Sequence, residues 1–155
     1  MSKTIMQKNG RLTEHLCKIG FYVHPPEQPD SRAGPLLLGP FCGRPACQLI
    51  QTKPGKGVCA DAFLKAETLL VGDVHLYPGH IGEPLQVRAY RNQADDFAFP
   101  FEACDALSAS EIVVPLRSRA DDVTVGVLDL DSTVKNTFDD EDRMGLERIV
   151  ALLKL

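Results

Sequence analysis

Residues 111–116 read EIVVPL and residues 124–130 read TVGVLDL. Both runs are rich in β-branched residues, and the polar stretch between them has the composition of a hairpin loop. They predict two adjacent antiparallel strands. Working outward, Gly20 to Val23 predicts a short strand, and Pro35 to Phe41 with Ala46 to Ile50 predicts two more around a Gly-Arg-Pro turn. Thr68 to Val74 predicts another. His24 to Gly34 holds three prolines and is expected to be a loop. The turn TKPGKG at 52–57 opens a helix in which Cys59, Ala62, Phe63 and Ala66 share one apolar face. A second helix closes the chain. Thr137-Phe-Asp-Asp caps it, the acids Asp139 to Asp142 suit the positive end of its dipole, and Leu146, Ile149, Val150 and Leu153 form its apolar stripe. The expected class is α+β, a central, mostly antiparallel sheet flanked by helices.

The chain has 155 residues, enough for one domain spanning 1–155. Its formal net charge is −4 without a basic block, which argues against a nucleic-acid partner. Apolar residues make up 44% and charged residues 25%, the balance of a folded protein. No apolar run approaches the ~18 residues of a membrane span. The polar start, Met1 to Gly10, lacks the core of a secretory signal, so the expected location is cytoplasmic.

The five cysteines are Cys17, Cys42, Cys47, Cys59 and Cys104. An odd count in a reducing compartment argues against a disulfide scaffold. Four residues separate Cys42 from Cys47 and eleven separate Cys47 from Cys59, so no C-x-x-C pair exists and no bound metal is expected. His75 and His80 flank a turn and are expected to be loop histidines. The Gly55-Lys56-Gly57 turn lacks the longer pattern of a phosphate loop. Asp129 and Asp131 alternate with Leu128 and Leu130, so both point to one face of a strand. That face is either solvated or a grip for a cationic ligand group. Cys59 sits on an apolar stripe near a helix N-terminus: it is either packed in the core or a thiol whose pKa the dipole lowers.

Several stretches together resemble the free methionine-(R)-sulfoxide reductases, a catalytic branch of the GAF-domain fold. They are GFY at 20–22, LGPFCGRPAC at 38–47, GKGVC at 55–59, DVHLYPGHI at 73–81, ACD at 103–105, SEIVVPL at 110–116, GVLDLDS at 126–132 and FDDED at 138–142. The resemblance implies a GAF-like fold, no cofactor, and reduction of free L-methionine (R)-S-oxide to methionine. It assigns the nucleophile to Cys104, the resolving cysteine to Cys47 and an auxiliary thiol to Cys59. It places Glu111, Asp129, Asp131 and Tyr22 around the substrate, makes thioredoxin the reductant, and points to a homodimer. Cys17 and Cys42 have no counterpart and are expected to be passive.

The chemistry is consistent with those residue types. Sulfoxide reduction needs a soft nucleophile, for which a thiolate serves, and its product is a sulfenic acid. A second thiol must condense with that acid before over-oxidation. A carboxylic acid kept protonated by burial supplies a proton to the departing oxygen. If Asp129 and Asp131 grip the substrate's ammonium, a peptide-bound or N-acetylated methionine sulfoxide is refused. The alternative class is a non-catalytic GAF-type module that binds a small molecule or senses redox state.

Two departures stand out. Twenty-one residues, 82–102, separate PGHI from ACD, where the family runs directly on. They are either a lid over the substrate or a retained intron, which transcript sequencing distinguishes. The segment 1–19 before GFY is shortened, and Lys18 stands where the family has a tryptophan. Loss of one buried aromatic removes about 1.5–3 kcal/mol of apolar burial.

Overall fold

Strands β5 (Ser110–Arg117) and β6 (Thr124–Ser132) pair antiparallel, as their composition predicts. Their side chains alternate between two layers. Val113 and Val127 face one; Ile112, Val114, Leu116, Leu128 and Leu130 face the other. The computed structural model describes residues 15–25, 34–44, 47–79, 107–153 and 155. The proposed insert at 82–102, Cys104, His80 and most of the segment 1–19 lie outside them.

Strand β1 (Leu16–Val23) runs antiparallel to β6 on one side and to β2 (Leu36–Gly43) on the other. It starts four residues before the expected Gly20. With β3 (Leu49–Ile50) and β4 (Leu69–Val71), the described residues form a six-stranded sheet in the order β3-β2-β1-β6-β5-β4. Every neighbouring pair is antiparallel. Pro115 lies on β5 past the end of β4, where a missing N–H costs little.

Helix α1 (Val58–Lys65) covers one face of the sheet. Its buried Cys59, Ala62 and Phe63 pack on the Tyr22, Val113 and Val127 side. Gly57, at φ 94°, supplies the left-handed turn that opens the helix. Helix α2 (Asp140–Ala151) covers the opposite face through Leu146 and Val150. Asp139 accepts from the N–H groups of Glu141 and Asp142, and the Asp142 side chain accepts from the Asp139 N–H, a reciprocal cap.

Three local expectations are corrected. Among the described residues, the strand expected over 46–50 is reduced to Leu49–Ile50, with Cys47 and Gln48 outside the β2 ladder although the Gln48 carbonyl accepts from the Leu38 N–H at 3.0 Å. The strand expected over 68–74 stops at Val71. Asp73 accepts from the His75 N–H at 3.2 Å and starts a 3-10 turn over Val74–Leu76, a local bond that competes with the sheet ladder. Ile149 is 48% exposed. The sheet contact follows the line Asp142–Leu146–Val150, and Ile149 lies ~100° round the helix from Val150.

Candidate active site

The register of β1 and β6 sets Lys18 opposite Asp131 and Gly20 opposite Asp129. Glu111 on β5 lies opposite Asp131 from the other side. These positions share the sheet face that carries Tyr22 and receives α1. Asp129 and Asp131 therefore point to one face, as their spacing predicts, and that face is buried rather than solvated: they are 1% and 0% exposed.

Buried carboxylates require counter-charge. Lys18 provides it. Its Nζ stands 3.0 Å from Asp129 Oδ2 and 2.7 Å from Asp131 Oδ2. Asp131 also accepts from Ser108 Oγ at 2.9 Å. Asp129 accepts no hydrogen bond from a described donor beyond its ion pair with Lys18.

Helix α1 presents Cys59 to this face. Its Sγ donates to Glu111 Oε1 at 3.6 Å. Burial pushes the Cys59 thiol well up, and the charges of Asp129 and Glu111 push it further, while Lys18 opposes them. Burial, the two carboxylates and the contact with Glu111 all favour the packed, protonated reading of Cys59. Burial likewise holds the Tyr22 phenol far above the ordinary tyrosine range. The Lys18 ammonium lies 5.9 Å from the centre of the Tyr22 ring.

These groups line one cleft. Its walls include Lys18, Tyr22, Cys47, Cys59, Glu111 and Asp129. Asp131 lies behind them, bonded to Ser108 and Lys18. The free space inside is about 30 Å³, room for roughly one or two waters. The turn that forms one rim is held by Asp61, which accepts from the Gly55 N–H at 3.0 Å and from the Tyr77 hydroxyl at 2.8 Å. Ligand atoms of Cys59, Glu111 and Asp129 lie within 4.8 Å of one another, close enough to share a cation. Lys18 already supplies positive charge beside Asp129, and the Cys59 proton is engaged by Glu111.

Of the seven expected site residues, the structure thus brings Cys47, Cys59, Glu111, Asp129 and Tyr22 around one space, with Asp131 anchoring it. Cys104 lies outside the described residues. Cys42 is exposed on β2 and does not line the cleft. His75 is exposed. Sequence pattern alone does not indicate the Lys18 bridge or the Ser108 contact. A lone lysine two and four residues before Gly20 and Tyr22, in an otherwise apolar strand, was the available signal.

The GAF-domain family model matches residues 10–154. The reduced fRMsr of Staphylococcus aureus is 38% identical, with a TM-score of 0.67, over 94% of this chain and 73% of that one. The chain belongs to the free methionine-R-sulfoxide reductase branch of the GAF-domain family. A free methionine-R-sulfoxide reductase of Saccharomyces cerevisiae is 40% identical over 134 residues, 86% of this chain. The chain spans 59% of that relative's length. A free methionine-R-sulfoxide reductase from Neisseria meningitidis, solved in complex with its substrate, is 36% identical with a TM-score of 0.66, over 90% of this chain and 65% of that one. No helix among the described residues is long and apolar enough to cross a membrane.

Proposed function

We propose that this protein reduces free L-methionine (R)-S-oxide to L-methionine. One observation carries the reading: Cys47 and Cys59 share a small cleft with Glu111, Asp129 and Tyr22. That cleft joins thiols, which accept oxidation, to carboxyl groups, which bind a cation or donate a proton. The names of the relatives supply the substrate.

In the proposed reaction the Cys104 thiolate attacks the sulfoxide sulfur. The S–O bond breaks, the oxygen passes to Cys104 as a sulfenic acid, and methionine leaves. A carboxylic acid, for which Glu111 is best placed, protonates the oxygen. The Cys47 thiol condenses with the sulfenic acid, releasing water and forming a disulfide. The dithiol of thioredoxin reduces that disulfide and is itself oxidised. The tether from residue 104 to Ser108 is four residues, at most ~14 Å of extended chain, and Ser108 touches Asp131. That reach supports the nucleophile's assignment. Cys59, protonated and bonded to Glu111, is a reserve thiol in this scheme. A homodimer is part of the proposal, as is a single domain carrying the insert at 82–102.

The test is an assay of free methionine-(R)-sulfoxide with thioredoxin or dithiothreitol, beside Cys104→Ser. Reduction that Cys104→Ser abolishes is the expected result. A folded protein that consumes no sulfoxide overturns the reading and leaves a binding module, which the filling of the cleft by Lys18 favours as the second reading.

A further inference from the structure

The cleft holds a group that the reaction does not require. A site for a free amino acid needs an anionic seat for the ligand's ammonium. Here that seat is taken: the Lys18 ammonium stands 3.0 Å from Asp129 and 2.7 Å from Asp131, and all three side chains are almost wholly buried. We propose that Lys18 is a tethered competitor of the substrate's ammonium, and so a specificity-determining residue. This rests on the reading of the cleft given above.

Three observations support it. First, the two cations have the same charge and the same three N–H donors, and two like charges in contact within a buried site repel strongly. Second, Lys18 is itself part of the cleft wall, beside Tyr22 and Asp129, so a ligand entering the cleft meets its ammonium directly. Third, Asp129 lines the cleft and its Oδ1 is buried without a hydrogen-bond partner among the described residues. The lysine therefore leaves unmet an acceptor that a ligand ammonium can use. The position is fixed by the fold, since the strand register sets Lys18 across from Asp131.

A ligand with an ammonium must displace Lys18, whose flexible stem allows it to withdraw. A ligand without one gains nothing from displacing it and loses nothing by leaving it. The native protein therefore discriminates weakly between an amino acid and its deaminated counterpart. Removing the lysine frees the seat and creates the preference.

Calorimetric titration of the purified protein with L-methionine and with 4-(methylthio)butanoate, the same molecule without its ammonium, tests this without turnover. In the native protein the two are expected to bind within about threefold of each other. In Lys18→Ala the preference for methionine is expected to rise by about tenfold or more. A native protein that prefers methionine by about tenfold overturns the proposal. So does a preference unchanged by Lys18→Ala. If Lys18→Ala does not fold, the native comparison decides alone. Sulfoxide reduction assayed in parallel reports on the activity reading separately: absent turnover with a switched binding preference removes the reaction and keeps the competitor.

Discussion

The two aspartates of β6 are equally buried but not equally held, and their replacement should separate them. Asp131 has Lys18 at 2.7 Å and Ser108 Oγ at 2.9 Å. Asp129 has Lys18 at 3.0 Å, and its Oδ1 accepts nothing from the described residues. Hydrogen bonds to charged groups contribute about 1.5–3 kcal/mol each. Asp131→Asn weakens two and turns an amide donor toward an ammonium, for an expected loss of ~2–4 kcal/mol. Asp129→Asn weakens one longer contact and relieves an unmatched buried charge, for ~1 kcal/mol. Lys18 keeps one carboxylate partner in either variant. Urea unfolding at neutral pH, with a slope of ~1–3 kcal/mol/M, should place the two midpoints about 1 M apart, Asp131→Asn the lower. Equal midpoints, or a greater loss in Asp129→Asn, would refute the view that Asp131 is the anchor and Asp129 the group open to the cleft.

Other outcomes follow from the same geometry. Because burial raises the Cys59 thiol, the folded state keeps a proton that the unfolded chain releases above its ordinary pKa of about 8.5. Stability should fall as pH rises beyond that value, and Cys59→Ala should flatten the slope between about pH 8.5 and 10. A Cβ on Gly126 would lie 2.3 Å from the Tyr22 carbonyl oxygen, so Gly126→Ala should force β1 from β6 and cost about 1–3 kcal/mol in thermal or urea unfolding. Tyr77→Phe removes the 2.8 Å bond to Asp61 and should cost about 1 kcal/mol, with faster amide exchange in the 53–57 turn. Cys47→Ser should leave one turnover of sulfoxide per protein and lose recycling by thioredoxin; undiminished steady-state turnover would reassign the resolving thiol.

Much of this fold is legible in the sequence. The composition of 111–116 and 124–130 marked the paired strands, and the acids at 139–142 marked the cap of α2. Alternation placed Asp129 and Asp131 on one face. Its burial was not legible from alternation, since the same pattern describes a solvated face. Burial follows from α1 and from Lys18, whose place across from Asp131 depends on the register between residues far apart in sequence. The end of β4 depends on a side-chain bond of Asp73, and the state of Cys59 on neighbours contributed by three strands. None of these is a property of a local window.

Strand β1 lies between β2 and β6, so residues near position 20 are stitched to residues near position 130. Closing a loop over such a span costs chain entropy that the finished seam must repay. The cleft does not exist in any partly assembled chain that lacks this seam. A molecule that prefers the finished cleft therefore raises the melting temperature of the entire domain by mass action, rather than firming one loop.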